Sequence, residues 1–568
     1  MDYSILADYC EKLESVPAKL KKTEILTDIL RKTPSGELSE IILLLAGRVF
    51  PIYSEHEIGV AVQMMIKAIE KATGFKLAEI ENKFKKIGDL GLVAEDCIRL
   101  RKQSTLFRKK LTVNSIFSNL QKLAFITGKG SQERKLSLIA ELLSSAQPKE
   151  ARYITRTILG ELRVGVAEGL IRDAIAQAFL VKESTKKEEK EKMTEAVDYA
   201  WNILSDFGEV ARIAKEKGSG GLRKIKVHLG RSIQVMLGEK AESIESVVKS
   251  HGEVIAEYKY DGARLQCHKK GDKIWLYTRR LEDVTKQFPD VVDLCRKGLK
   301  AEECIVEGEA LGVDTKTGLP LPFQVLSQRI HRKYEIEKMV KEIPVQVNLF
   351  DVVFVDGKAL FDVPLKERRK MLEKIVKPIP GKFQLTKCLI TDDVKKLEKF
   401  YKEALDAKQE GLFLKVLCSL YIFGRHVDGW YKIKPMMETL DLVIVGATWG
   451  EGARAKWITS YQLACIDTDT GEFLDCGMMS TGLTEEEYKN MTEKLKPLIV
   501  DEKGKNIRVR PKVVLEVGYQ EIQKSPNYSS GFALRFPRFI RERLDKSAEE
   551  ADTIDRVRLL FKSQGKAG

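Results

Sequence analysis

The chain has 568 residues, with 97 Lys and Arg against 83 Asp and Glu for a net charge of +14, and 43% of it is hydrophobic. Such a length exceeds what one core supports and calls for several domains, and the cationic excess points to a polyanionic partner, nucleic acid first, because clustered Lys and Arg release counterions from a phosphate backbone. Three classes are set aside: the longest apolar run, Ile41 to Ala46, is far short of the roughly 20 residues a bilayer requires; Met1-Asp2-Tyr3-Ser4 opens without a signal peptide's basic flank and apolar core; and the nine cysteines include no C-x-x-C pair for a zinc module or disulfide framework, so reduced thiols in a soluble intracellular, cytoplasmic or nucleoid-associated protein are expected.

From residue 1 to about 219 the periodicity is helical. Ala151, Ile154, Ile158, Leu159 and Leu162 predict a helix over 150–162, opened by Pro148 and closed before Gly165. Ala167, Leu170, Ile171, Ala174, Ile175 and Ala178 predict a second. The mixed charges of Lys182 to Lys192 read as a solvated helix face. Gly218-Ser219-Gly220-Gly221 is the clearest linker, and beyond it the period changes from helix to strand. Strands are predicted at Val254 to Tyr260, Lys273 to Arg279, Cys304 to Val313, Val345 to Val355, Gly411 to Val416 and Trp430 to Lys434, with helices between them, as in an α/β domain. Closer-spaced strands follow at Leu440 to Thr448, Tyr461 to Asp467, Phe473 to Met479 and Val513 to Tyr519, which fits a small β-barrel. The expected division is therefore 1–219, 220–437 and 438–568.

The most informative stretch is Glu257-Tyr258-Lys259-Tyr260-Asp261-Gly262-Ala263-Arg264. An amine that attacks phosphorus at neutral pH needs apolar or cationic surroundings to shed its proton and a tight turn to aim it. Val254, Ile255 and Ala256 supply an apolar lead-in, Asp261-Gly262 the turn, and Arg264 a permanent cation. Taken alone, a lysine before a turn is more often a solvated hairpin residue. Further segments share a form, with Lys, Arg or Glu at a strand end or beside a glycine: Tyr277-Thr278-Arg279-Arg280, Val306-Glu307-Gly308-Glu309-Ala310, Phe350-Asp351, Glu410-Gly411-Leu412-Phe413-Leu414-Lys415 and Trp430-Tyr431-Lys432-Ile433-Lys434. That is how a sheet presents charges to one cleft. No Gly-x-x-x-x-Gly-Lys-Ser/Thr loop occurs, which sets aside a P-loop ATPase.

In order and spacing these segments resemble the six collinear motifs of covalent nucleotidyltransferases, and specifically the ATP-dependent DNA ligases of the archaeal and eukaryotic replicative type. Leu534-Arg535-Phe536-Pro537-Arg538-Phe539-Ile540-Arg541 resembles the last motif of that family almost letter for letter, and Gly160-Glu161-Leu162-Arg163-Val164-Gly165 resembles its helical DNA-binding domain. The resemblance implies an all-α DNA-binding domain, an α/β adenylation domain and a C-terminal OB-fold, acting on nicked duplex DNA in replication, repair and recombination. Lys259 would carry AMP from ATP. Glu257 would accept from the adenine edge, Phe350 would stack on it and Glu309 would hold the ribose. Arg264 and Arg279 would lie near the AMP and nick phosphates, with Lys432 and Lys434 at the α-phosphate. Arg425 is carried over across a gap one residue longer than the family pattern. Glu410 and Glu309 would position Mg2+, and Arg538 would reach the departing pyrophosphate on domain closure. Glu307 stands where an Asp is common, Arg280 where a smaller polar residue is frequent, and Asp351 reads as structural.

Lys129, Arg134, Arg163 and Lys186 are candidate DNA contacts on the helical domain. Gln103-Ser104-Thr105-Leu106-Phe107, between basic residues, resembles the short motif that docks a sliding clamp (PCNA) through Gln103, Leu106 and Phe107. A monomer is expected. Two alternatives remain at this point: another lysine nucleotidyltransferase, either an RNA ligase or a GTP-using capping enzyme, and a passive nucleic-acid-binding scaffold.

Overall fold

The computed structural model describes the chain apart from residues 55, 102–109, 183, 315–316, 331, 333, 425–428, 435–438, 451–453, 455 and 565–568. Up to Arg223 the described elements are helical, apart from isolated backbone bridges, and share one apolar core. Pro148–Ile158 lies at its centre, begun by Pro148 and a reciprocal cap between Gln147 and Glu150, the arrangement that satisfies free N–H groups at a helix start. Its Arg156 is buried, donating to Glu14 at 2.8 Å and Asp89 at 2.7 Å. One guanidinium thereby ties Tyr3–Ser15 and Leu90–Leu100 to the central helix.

Two details differ from the sequence expectation. The helix expected over 150–162 stops at Ile158, because Gly160 turns left-handed at φ 72° and Arg163 follows at φ 59°. The Gly218–Gly221 cluster is not an extended linker. It is a kink within helix Phe207–Arg223, where Gly218 takes φ 61° and ψ −165° and the helix resumes. Glycine enters that conformation without steric penalty and so bends the helix without ending it.

The crossing to the second unit is the segment after Lys224, which is tied down on both sides. Ile233 exchanges two hydrogen bonds with the Gln266 amide, Tyr277 donates to the Gly230 carbonyl, and Gly230 N–H donates to His268 Nδ1 at 3.3 Å. Towards the helices, Gln234 N–H donates to Asn202 and Ser205 to Ser232. A shared apolar cluster joins Ile203 to Ile233, Met236, Phe350 and Trp430.

The central unit is built on two sheets. One runs Glu239–Lys240, Trp430–Ile433, Gly411–Val416, Val254–Lys259, Cys388–Thr391. The other runs Lys273–Thr278, Ala263–Lys270, Glu303–Gly312, Val345–Val355, Lys358–Ala359, with Phe383–Leu385 added in parallel to Val345–Val355. The expected strands recur within a residue or two of these bounds. Ala263–Lys270, entered directly from the Asp261-Gly262 turn, was not foreseen. Beyond residue 439 a strand-rich unit surrounds Leu440–Trp449, which pairs with Ile458–Ile466, Asn506–Val509 and Val514–Gly518. After residue 498 the expected Val513 to Tyr519 recurs as Val514–Gly518, while Ile499–Lys503, Asn506–Val509, Glu521–Lys524, Phe532–Arg535 and Arg538–Glu542 were missed, since runs of four or five residues carry little period. Among the described residues the nine cysteines are free and no helix is long and apolar enough to cross a membrane.

His268 gives the crossing a pH dependence. Burial lowers its pKa to about 3, and its neutral ring accepts from Gly230 while Nε2 donates to Gln266. In the unfolded chain the ring takes a proton near pH 6.5, so between these values the unfolded state binds more protons and stability falls as pH falls, by about 1.4 kcal/mol per pH unit at most. His268→Gln is expected to narrow its deficit in thermal midpoint against the wild type steadily from pH 7 to pH 4.5. Calorimetry at several pH values reads this directly, and a constant gap would refute it.

Candidate active site

The strand period of two sorts the side chains around the cleft. Along Val254–Lys259, the residues Val254, Ala256 and Tyr258 join one core with Leu412, Leu414 and Ile433. Ile255, Glu257 and Lys259 alternate with them, and cross-strand pairing sets Glu257 beside Phe413 and Phe413 beside Lys432. In the second sheet Leu265, Cys267, Val306 and Ala310 enter a separate core. The alternate residues Arg264, Gln266, Glu307 and Glu309 line up, Arg264 opposite Glu309 and Gln266 opposite Glu307.

Lys259 ends its strand where the chain turns through Asp261-Gly262. A Cβ on Gly262 would stand 2.4 Å from the Ala310 carbonyl, so only glycine lets the turn lie against the second sheet. The Lys259 ammonium pairs with Glu410 and lies over the Phe413 ring. Glu410 is brought there by its N–H, which donates to the Lys259 carbonyl at 2.9 Å, and by Gly411 at φ 137°, where a Cβ would meet the Ile433 carbonyl at 2.1 Å. Lys434 pairs with the same carboxylate at 2.9 Å. From the C-terminal unit, Gln520 donates to Glu410 at 3.2 Å and Arg535 comes within 3.8 Å of Asp261.

The charges shift one another. Burial alone would raise Glu410, yet Lys259 and Lys434 bring it down to about 2. Burial and the neighbouring Glu410 raise Asp261 to about 6. Burial raises Glu309 to about 7 against the pull of Lys259 and Arg264. Lys432 is lowered to about 8 by burial first and then by Lys259, Arg279, Lys434 and Arg264. Like charges crowded in this way are the mark of a site that receives a charged ligand: the cations suit phosphates and the carboxylates suit hydroxyls or a hard cation.

The expected residues separate into two groups. Lys259, Glu309, Glu410, Lys432 and Lys434 share one electrostatic cluster. Phe350 stands edge-on to Trp430 with centroids 6.0 Å apart. Arg264 is held rather than free: it donates to the Met236 carbonyl and to Glu307, both at 2.7 Å, and lies over Phe350. Glu257 is buried and closed by Arg369 and Lys415. Arg279 and Arg280 are exposed at the end of Lys273–Thr278. Arg538 opens strand Arg538–Glu542 as an exposed residue, whereas Arg535 on the preceding strand is the arginine at the turn after Lys259. Asp351 is structural, gripped by Arg368 through two bonds of 2.9 Å. Arg425, Gln103, Leu106 and Phe107 lie outside the described residues.

Sequence reasoning missed Asp261, Arg369, Lys415, Tyr421, Gln520 and Arg535 as members of the site. For Lys415 a signal was present: it has the same strand parity as Phe413. Arg369, on helix Leu365–Ile375, had none, because its partner is 112 residues away.

Comparison with known proteins covers nearly the whole chain. The family model described as "DNA ligase N terminus" matches residues 2–176, "ATP dependent DNA ligase domain" 235–434 and "ATP dependent DNA ligase C terminal region" 454–546. The chain is 47% identical over 572 residues to a DNA ligase of Nanoarchaeum equitans, with 99% of each protein covered. It is 46% identical to one of Thermococcus onnurineus over 99% of this chain and 98% of that one, and 43% identical to one of Archaeoglobus fulgidus over 99% of each. A solved structure named Pmar-Lig_PreS3 shares the fold, with TM-score 0.56 and 15% identity over 95% of this chain and 99% of that one.

Glu307 tests how the site is held. Its buried carboxylate takes Arg264 at 2.7 Å, Tyr421 at 2.9 Å and Gln266 at 3.3 Å. Glu307→Gln keeps the volume and leaves the Arg264 guanidinium uncompensated, which should cost on the order of 3 kcal/mol. Urea unfolding of the two proteins measures this, and an unchanged midpoint would show that Arg264 has another counter-charge.

Proposed function

The chain belongs to the ATP-dependent DNA ligases, which use ATP as the AMP donor to seal nicks in DNA, and on that premise we propose that Lys259 is the residue that carries the nucleotide. The observation behind this reading is the Lys259 ammonium at a strand end, paired with Glu410, lying over the Phe413 ring and close enough to Lys432 to share its field with Lys434.

Once deprotonated, Lys259 Nζ attacks the α-phosphorus of ATP. A P–N bond forms, the bond to pyrophosphate breaks, and AMP stays on the lysine. The 5′-phosphate at the nick then takes AMP from the lysine. The 3′-hydroxyl attacks that phosphate and expels AMP as the phosphodiester closes. Each step moves a phosphoryl group, so the protein's part is positioning and charge compensation. Glu257 accepts from the adenine edge, Phe350 stacks on the base, and Glu309 accepts from the ribose. Lys432 and Lys434 meet the α-phosphate, a task suited to ammonium groups already crowded by like charges. Arg264 and Arg279 stand towards the AMP and nick phosphates, Arg425 towards the nucleotide and Arg538 towards pyrophosphate.

Magnesium fits the donor chemistry. The ion keeps most of its waters and takes one or two carboxylates, and Glu309, Glu410 and Asp261 lie close enough to act on one another's charge. Glu410 and Glu309 are the proposed ligands, with Asp261 beside them. Bound there, the ion would neutralise phosphate charge as it develops.

We place the helical unit on the duplex, with phosphate contacts dominant because sealing must be indifferent to sequence, and the division 1–219, 220–437, 438–568 as the three functional parts. Gln103, Leu106 and Phe107 are proposed to dock a sliding clamp. Their segment starts at Arg101, anchored to the Ser144 carbonyl at 2.8 Å, and ends at Lys110, paired with Asp2 at 2.6 Å. We propose further that the protein acts as an intracellular monomer in replication, repair and recombination.

The decisive experiment is incubation with α-labelled ATP or GTP and magnesium, followed by denaturation. Label from ATP should survive, be absent in Lys259→Ala and be discharged by nicked duplex DNA. Label from GTP alone, or full labelling of Lys259→Ala, would overturn the assignment.

A further inference from the structure

Two buried cations share one buried carboxylate behind the candidate base pocket. Glu257 is 2% exposed, and its Oε1 accepts from Arg369 Nη1 at 3.1 Å while its Oε2 lies 2.6 Å from Lys415 Nζ. Neither cation is free to move away. Arg369 also donates to the Thr386 hydroxyl at 3.1 Å, the Thr386 carbonyl at 3.3 Å and Glu373 at 3.0 Å, with Cys388 Sγ at 3.5 Å. Lys415 Nζ stands 4.0 Å from the Trp430 ring centroid and 4.5 Å from that of Phe350. Burial pushes the Lys415 ammonium down, and Glu257 and Asp351 work against that.

Such an arrangement is an expensive way to fill a core, since apolar side chains of similar volume would do so at no loss of stability. It has a chemical use. A carboxylate is only an acceptor, whereas a carboxyl group that has taken up a proton also donates, and one buried without a counter-charge takes up that proton. The edge of adenine presents an amino donor at the 6-position; guanine presents a carbonyl acceptor there. A fixed acceptor at that edge pairs with the first and leaves the second facing lone pairs, a mismatch that polar pockets reject strongly.

We propose that Arg369 and Lys415 are positioning residues for nucleotide selection: together they hold the Glu257 carboxylate in one orientation, as an acceptor only, against the purine that stacks on Phe350. This rests on the reading of Glu257 as the partner of the adenine edge. Lys415 has a second part in it, because its ammonium lies against both Phe350 and Trp430 and so fixes the stacking ring and the reading carboxylate relative to each other.

The test is the rate of lysyl-adenylate formation against nucleotide concentration, with ATP, with GTP and with purine riboside triphosphate, which lacks the 6-amino group. For Arg369→Met and Lys415→Met the ATP concentration for half-maximal labelling should rise about tenfold, the loss of one charge-assisted hydrogen bond, with little change in the rate at saturation. The preference for ATP over purine riboside triphosphate should shrink by a similar factor, and GTP should begin to label. Arg369→Lys should restore most of the preference. A merely structural role would lower the labelled fraction and leave half-saturation and preference in place, and that result in both methionine variants overturns the proposal. Should those variants fail to fold, the near-isosteric Thr386→Val, which removes one support of Arg369, must still raise half-saturation about threefold, and no rise refutes the inference. Glu257→Gln separates the premise from the inference. If it leaves ATP binding and GTP exclusion unchanged, Glu257 does not read the base; if it alters them while Arg369→Met and Lys415→Met do not, only the positioning role fails.

Discussion

Charge compensation in a nearly dry cleft is the constraint on which the rest of this structure depends. Transfer of a nucleotide needs several cations within reach of one phosphate, and cations gathered in low dielectric repel unless each meets an opposite charge. Here Lys259 and Lys434 converge on Glu410, Arg264 on Glu307, and Arg369 and Lys415 on Glu257. Each cation therefore has its opposite charge within the protein. On the function proposed above, a triphosphate would bring its own negative charge to the lysines that Glu410 now holds.

Around this cluster lies a second layer that touches no phosphate. Glu307 takes hydrogen bonds from Arg264, Gln266 and Tyr421, and the same Gln266 clasps Ile233 in the segment that leads back to the helical unit. Phe350 and Trp430 share their apolar cluster with Ile203 of helix Lys187–Leu204. The wall of the proposed nucleotide pocket and the seat of the helical unit are therefore one packed body, and a shift of either strains the other because packed cores do not deform smoothly. From the opposite side Gln520 and Arg535 reach Glu410 and Asp261. Both of those contacts are polar.

The segments proposed to carry the chemistry stand out in the sequence because each is local. Lys259 before Asp261-Gly262, Glu410 before Gly411, and Lys432 two residues from Lys434 are patterns of strand end and turn, and alternation put them on one face. The helical character of the first 223 residues was legible from apolar stripes for the same reason. Where the reading went astray, context overrode a local cue. Gly218 to Gly221 looks like a linker, but Leu222 enters the helical core and pulls the chain back into helix after a single kink. Glu257 and Arg264 also have partners far along the chain that no spacing announces.

What the sequence determined by itself is the helical, α/β and strand-rich order of the chain and the local motifs set at its strand ends, since strand period, turn glycines and charge at strand ends are properties of neighbouring residues. Only the tertiary structure decided which opposite charge each group meets. It brought Arg369 and Lys415 to Glu257, Tyr421 to Glu307, Gln520 to Glu410 and Arg535 to Asp261. The physical reason is that a hydrogen bond or ion pair depends on separation in space, and packing of the two sheets, the joining segment and the C-terminal unit sets that separation independently of distance along the backbone.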